Sequence, residues 1–258
     1  MRRKAGAGYI VFAFPLLLGG CQKTINGDID AEKSYTIQVT FRPVVKGQPL
    51  VFGQPYTNAF GEDYNITSFR FYASPLSLPD DYTVLPAAGE AKYRLIDAAT
   101  GNTLSFTVAA RENILTRFSF QIGVDSIDNV SGAQANDLDP AKGMFWTWNS
   151  GYIMAKLEGS SSYSGVPDKR FTYHIGGFSG ENNTIRQVTL SIPENRQITL
   201  QEQRTTTIIV DADIDKWFHA EHALRIADNA FVHSPGPLAG LYADNYATLF
   251  SIASITEE

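Results

Sequence analysis

The segment that decides how this chain folds reads Asp137-Leu-Asp-Pro-Ala-Lys-Gly-Met-Phe-Trp-Thr-Trp-Asn-Ser-Gly-Tyr-Ile-Met-Ala-Lys-Leu-Glu-Gly159. It holds two of the chain's three tryptophans, Trp146 and Trp148, between an acidic turn and a strand-like run. Residues two apart on an extended backbone face the same side, so both indoles are expected on one face. Such a pair either closes one end of a β-sandwich or lines a functional site, and the residue types alone leave both readings open.

Alternating hydrophobic residues predict strands on both sides of this segment. The clearest run is 118–124, where large apolar residues alternate with Ser119, Gln121 and Gly123, so one face must be core. In the run 171–175 His174 is out of phase with the apolar residues and is expected on the opposite face. Similar runs, separated by turn signals, lie at 35–41, 66–72, 152–157, 187–192, 198–200 and 205–210. This spacing predicts an all-β fold, a single antiparallel β-sandwich over residues 34–258.

Two kinds of local element refine that prediction. The runs 93–96 and 104–108 flank a turn-forming segment with Gly101, so we expect them to pair as a hairpin. Helices are expected only near the C-terminus and short. Asp213 or Asp215 can cap one through Phe218, and the Pro-rich turn before Leu238 can begin another over 238–249.

The first residues have the pattern of a targeting signal. Arg2, Arg3 and Lys4 precede an apolar run, and Leu18-Gly-Gly-Cys21 closes it. This pattern resembles a lipoprotein signal, which implies removal of residues 1–20, lipidation of Cys21 and a tether over 21–33. An uncleaved anchor or an ordinary secretory signal is the alternative. We therefore expect a lipoprotein of a Gram-negative cell envelope, at the outer membrane and on its periplasmic face.

Charge and cysteine content limit the partners. The formal charge is -6, and removing the three basic residues of the leader makes the chain more acidic still. This argues against nucleic acid or anionic lipid as a partner, so membrane contact is expected through the lipid anchor alone. Cys21 is the single cysteine, which excludes an intrachain disulfide.

Four histidines are the candidates for a metal site, and no familiar catalytic motif accompanies them. We therefore expect a protein that is not an enzyme. His219 and His222 stand three apart, which on a helix puts both imidazoles on one face and makes a weaker metal alternative. His174 lies on a strand before Gly176 and Gly177, where small residues leave room beside a ring, and His233 precedes a rigid Pro-rich turn.

Long motifs make the chain resemble the methanobactin-associated copper-binding proteins, the MbnP-like family. The resemblance begins near Tyr35 and rests on the runs 69–78, 138–152, 156–159, 171–177, 232–235 and 243–247. It implies a periplasmic or surface β-sandwich in which His174 and His233 bind copper and Trp146 and Trp148 form the family's Trp-x-Trp motif.

The resemblance also implies a chemistry for that motif. In the family, a tryptophan can be oxidised to kynurenine by a partner diheme enzyme of the cytochrome c peroxidase type. Some copper-binding relatives carry a histidine two residues after the modified tryptophan, whereas this chain has Trp148 there. A soft aromatic surround with Met144 nearby favours Cu(I) over Cu(II).

Other readings of the same residues stay open. A carbohydrate- or protein-binding envelope lipoprotein would expose both indoles as a stacking platform, whereas a copper site would pack them beside two histidines. A hydrolase could use Asp137, Asp139 and Glu158, although the acidic segment has the composition of an ordinary turn. The carboxylates of that turn could also bind calcium.

Overall fold

Two β-sheets form most of the fold in the computed structural model, which describes residues 34–75, 84–88, 91–101, 104–146 and 151–258. The first sheet has six strands. In spatial order they are β17 (Phe250–Glu257), β15 (Thr205–Asp213), β1 (Tyr35–Val45), β7 (Ser105–Ala110) and β5 (Val84–Pro86), with β2 (Gln48–Pro49) beside β1.

The second sheet has nine strands and carries the residues of interest. Its main path is β13 (Arg186–Ser191), β9 (Arg117–Ile122), β4 (Asp63–Pro75), β11 (Gly151–Ser160), β12 (Arg170–Gly176) and β16 (Phe231–Val232). Off this path, β10 (Phe145–Trp146) pairs with β11, and β4 also pairs with β3 (Tyr56–Thr57) and β6 (Arg94–Asp97). A separate two-stranded ladder joins β8 (Ile114–Leu115) to β14 (Ile198–Thr199).

The two sheets pack through one aromatic core, which confirms the predicted all-β sandwich. Phe41 of β1 lies 5.2 Å from both Phe71 of β4 and Phe120 of β9, measured between ring centroids. These edge-on contacts add to the burial of large apolar side chains. The sheets are not purely antiparallel, however, because β1 pairs with β15 and β12 with β16 in parallel.

A second, smaller core covers the outer face of the nine-stranded sheet. Tyr72 follows Phe71 on β4 and therefore points to the opposite face, where it belongs to this second cluster. The segment that covers it contains α1 (Ser126–Val130) and two short 3-10 helices. Tyr152 donates its hydroxyl to the Leu138 carbonyl at 3.0 Å, which fastens this segment to the sheet.

The predicted C-terminal helices are present, but the expectation that helices occur only there is wrong, because α1 (Ser126–Val130) and several 3-10 helices lie earlier in the chain. A 3-10 helix spans Ile214–Trp217, and the Asp213 side chain caps it by accepting a hydrogen bond from the Asp215 amide. The second helix, α2 (Pro237–Ala247), begins at a proline, whose missing amide hydrogen is not needed in a first helical turn. In the part of the chain that the structure describes, no helix is long and apolar enough to span a membrane.

The predicted hairpin between 93–96 and 104–108 is wrong. Strand β6 pairs with β4 in the nine-stranded sheet, and β7 pairs with β1 in the six-stranded sheet. The chain crosses from one sheet to the other between them. Turn-forming residues mark such a crossing as well as they mark a hairpin, so the composition of that segment did not distinguish the two.

Candidate functional site

His174 faces away from the main core, as its position on β12 predicts. Phe171, Tyr173 and Ile175 belong to that core, and the residue between the last two projects from the other face. His174 is nonetheless only 9% exposed. Strand alternation therefore places an imidazole in a buried position on the outer face of the sheet.

The two ring nitrogens of His174 have different surroundings. Nε2 lies 2.6 Å from Oε1 of Glu158, which projects from the neighbouring strand β11. This contact, ahead of the opposing effect of burial, holds the pKa of the Glu158 carboxyl below its usual value. Nδ1 is buried and has no hydrogen-bond partner. A buried polar atom without a partner is costly, and a metal ion would supply the missing contact.

His233 reaches His174 because of the parallel pairing of β16 with β12. Tyr173 is opposite Val232 in that ladder, so the next residue on each strand lies side by side. The two imidazole centroids are 4.4 Å apart and the rings are nearly perpendicular. Burial first, and then the nearby charges of His174 and Lys156, lower the pKa of His233. The His233 ring therefore keeps its lone pair to lower pH than an exposed histidine.

The distance between the rings limits how one ion could be shared. One nitrogen from each ring, at roughly 2 Å from the metal, would be needed to hold one ion between the two imidazoles. A linear arrangement needs the centroids about 2 Å further apart than the observed 4.4 Å. His233 is half-buried and lines an open groove of about 400 Å³ formed by residues 231–239.

Trp146 packs against one of the two histidines, His233. Its indole centroid lies 5.7 Å from that of His233, and the side chain is only 4% exposed. A Cβ built on Gly176 would lie 2.6 Å from an indole carbon, so the room at this glycine is taken by the tryptophan and not by the imidazole. Met144 is fully buried in the same cluster as Trp146. Trp148 lies outside the described residues.

The burial of Trp146 bears on the carbohydrate-binding hypothesis. A sugar-stacking platform requires an indole flush with an open surface, whereas Trp146 is buried beside a histidine. The buried indole therefore does not present the open surface that carbohydrate stacking requires, and its place in an apolar cluster fits both a core aromatic and a side chain that lines a site.

Lys156 balances the charge beside the histidines. Its ammonium lies 3.7 Å from Oε1 of Glu158 and donates a hydrogen bond to the Gly143 carbonyl at 3.1 Å. Burial lowers the pKa of Lys156, and the attraction of Glu158 opposes that effect. The lysine thus ties the turn before Met144 to the strand that carries Glu158.

The weaker metal alternative, His219 with His222, rested on a helix that does not form. The Leu224 amide donates to the Phe218 carbonyl and closes an irregular loop around both residues. The ring of His219 packs edge-on against that of Phe60, at 5.5 Å between centroids. The Nε2 atom of His222 lies 3.0 Å from Asp244 of α2. These contacts give each ring a separate structural role.

The acidic residues that a hydrolase or a calcium site could use also have individual partners. Asp137 accepts from the Leu95 amide at 3.0 Å and lies 3.2 Å from the ammonium of Lys142. Asp139 caps the 3-10 helix Pro140–Lys142. These are the bonds of an ordinary turn. Within the described ranges there is no group of three or more His, Cys, Asp or Glu residues that could hold a metal.

Two features of the site were not found from the sequence. Glu158 was considered only as a hydrolase carboxylate, although it is the partner of His174. The close fit of Trp146 over Gly176 was also missed. The leader and Cys21 lie outside the described residues.

Comparisons with known proteins agree with the resemblance seen in the sequence. The model of the family described as MbnP matches residues 34–234. Among solved structures, the chain is similar to MbnP from Methylosinus trichosporium, with 15% sequence identity, coverage of 81% of this chain and 83% of that chain, and a TM-score of 0.48. A search of curated proteins returns no match. Because the family model covers more than half of the chain, this protein belongs to the MbnP family.

Proposed function

We propose that this protein is a copper-binding lipoprotein of the bacterial cell envelope, with His174 and His233 as ligands. The observation that carries the proposal is the pair of imidazoles 4.4 Å apart, one of which has a buried nitrogen without a hydrogen-bond partner. Imidazole is a strong ligand for copper. Membership of the MbnP family supports the same metal.

The surroundings favour Cu(I) over Cu(II). Cu(II) prefers four or more nitrogen and oxygen ligands in a tetragonal arrangement, whereas Cu(I) accepts few ligands and a soft, apolar shell. The described site offers two imidazoles, the buried indole of Trp146 and the buried cluster that includes Met144. When bound, copper would supply a soft, redox-active cation, and the protein would hold it without catalysing a reaction.

Each part of the site has a separate task in holding the ion. His174 comes from β12, which pairs with β11 on one side and β16 on the other, and His233 follows the short edge strand β16 beside an open groove. The buried His174 fixes the position, and the half-buried His233 is the ligand that an entering ion meets first. Trp146, packed over Gly176, excludes water from one side.

Metal analysis of the protein purified from its native host tests this function. We expect about one copper ion per chain, lost when both His174 and His233 are replaced by alanine. Zinc or calcium in place of copper, or a metal-free protein in copper-replete cells, would contradict the assignment.

Anchoring is a separate part of the proposal, and it rests on the leader. Lipidation of Cys21 would hold the protein at the periplasmic face of the outer membrane. Replacing Cys21 by serine should release soluble or unprocessed protein on membrane fractionation. A processed variant that stays firmly in the membrane fraction would show that another feature anchors it.

Oxidation of Trp146 or Trp148 to kynurenine by a diheme partner is the third part, supported by family membership. Kynurenine formation adds one oxygen and removes one carbon, a mass change that peptide mass spectrometry of residues 142–156 detects. We expect the change in native protein and not in protein from a host without the partner. Trp217, fully buried in the main core, is the internal control. If copper-loaded native protein contained only unmodified tryptophan, kynurenine would not be part of the copper site.

A further inference from the structure

The contact between Glu158 and His174 makes the two nitrogens of the imidazole unequal. The distance of 2.6 Å from Nε2 to Oε1 is short for a hydrogen bond between a ring nitrogen and a carboxylate. An ionised carboxylate only accepts hydrogen bonds, so Nε2 must carry the hydrogen. In the neutral ring the lone pair then belongs to Nδ1, the nitrogen that is buried without a hydrogen-bond partner.

The carboxylate is itself held in place. Glu158 lies on β11 opposite Thr172, which is two residues before His174 on β12, so the carboxylate meets the imidazole diagonally across the antiparallel ladder. The ammonium of Lys156 approaches the same Oε1 at 3.7 Å and is fixed in turn to the Gly143 carbonyl. Two strands and a covering turn therefore set the direction from which Glu158 meets the imidazole.

We propose that Glu158 is a positioning residue that fixes the tautomer of His174, so that Nδ1 and not Nε2 is its metal-binding atom. This inference rests on the proposed copper function for the identity of the metal. A carboxylate bonded to the second nitrogen of a ligand histidine orients the ring and makes the first nitrogen a better donor. A purely structural role for Glu158 would tie β11 to β12 without selecting a nitrogen.

The first test needs no metal. Side-chain nitrogen NMR of the metal-free, full-length protein reports which nitrogen of His174 carries hydrogen. We expect a protonated Nε2 and an unprotonated Nδ1 in the wild type, and loss of that preference in Glu158→Gln, whose amide can donate as well as accept. A wild-type spectrum with hydrogen on Nδ1 alone would overturn the inference even if the variant failed to fold.

The second test adds Cu(I), which is diamagnetic and so compatible with the same NMR signals. Binding should move the Nδ1 signal of His174 and leave Nε2 protonated, and Glu158→Gln should weaken the affinity by about 10- to 100-fold. Asp244→Asn is the matched control, because Asp244 meets Nε2 of His222 in a similar contact at 3.0 Å. It should change neither the His174 signals nor the affinity.

The outcomes separate this inference from the proposed function. If the wild type binds Cu(I) through both histidines and Glu158→Gln keeps the same affinity and tautomer, the positioning role proposed for Glu158 is refuted. The proposed copper function is then unaffected. If the wild type does not bind Cu(I), the copper function is wrong, and the metal-free spectra still decide whether Glu158 sets the tautomer.

Discussion

Replacing Gly176 by alanine perturbs the fit between the sheet and the indole beside the histidines. Gly176 ends β12, and its backbone is not in the left-handed region, so the new methyl group acts through contact alone. The added Cβ would lie 2.6 and 2.8 Å from two ring carbons of Trp146 and 2.9 Å from the Tyr152 carbonyl oxygen. Neither neighbour is the end of a flexible chain, so the indole must move away from the strand.

The size of the effect follows from the packing. Extra methyl groups in a filled core cost about 1–3 kcal/mol, and contacts below 3.0 Å with a buried ring and a backbone atom place this variant in that range. For a domain of this size each kcal/mol lowers the melting temperature by roughly 2–4 °C, so we expect a decrease of roughly 2–12 °C. Displacing Trp146 from His233 should weaken Cu(I) binding as well.

Urea unfolding and Cu(I) titration of Gly176→Ala measure the two effects. Gly165→Ala is the matched control, because a Cβ there would meet nothing within 4 Å. The control should keep both the stability and the affinity of the wild type. Wild-type stability and affinity in Gly176→Ala would refute the claim that this glycine makes room for the indole.

Three further predictions concern stability. Glu62→Gln should lower the free energy of unfolding by about 1–3 kcal/mol, because the buried carboxylate accepts from the amides of Ile226 and Ala227 and a glutamine offers one acceptor oxygen; unchanged urea unfolding would contradict this. Gly240→Ala in α2 should raise the free energy of unfolding by about 0.4–1 kcal/mol, because a Cβ there has open space and alanine restricts the unfolded chain more than glycine. A lower free energy of unfolding in this variant would contradict the prediction. The lowered pKa of His233 means that the unfolded chain takes up a proton near pH 6.5 before the folded protein does. The difference in free energy of unfolding between the wild type and His233→Gln should therefore be fully present above that pH and shrink as the pH falls below it. A difference in unfolding free energy that does not change with pH would contradict this.

Local patterns in the sequence predicted individual elements better than their partners. The period-two run in β9 and the proline at the start of α2 follow from side-chain burial and backbone geometry within a few residues. The parallel pairing of β1 with β15 joins distant parts of the chain, and alternation carries no information about which strand lies alongside. The same limit explains the wrong hairpin.

In the candidate site, too, the sequence predicted the position of a residue on its own strand but not which residues lie beside it. The position of His174 on the outer face followed from alternation, but its nearness to His233 depends on the pairing of β16 with β12. Pairing the predicted run 152–157, extended by one residue, with the run 171–175 would have brought Glu158 near His174. In that ladder Lys156 lies opposite His174, and Glu158 is two residues further along on the same face. The helix predicted around His219 and His222 does not form; instead the Leu224 amide donates a hydrogen bond to the Phe218 carbonyl and closes a loop there.

The central claim is that His174 and His233 together bind one copper ion. Competition titration with Cu(I), on full-length protein from the native host, compares the wild type with the four single His→Ala variants. We expect one ion per wild-type chain, a loss of at least about tenfold in affinity for His174→Ala and for His233→Ala, and wild-type affinity for His219→Ala and His222→Ala. Equal affinity in all four variants, or a larger loss at His219 or His222, would contradict the account.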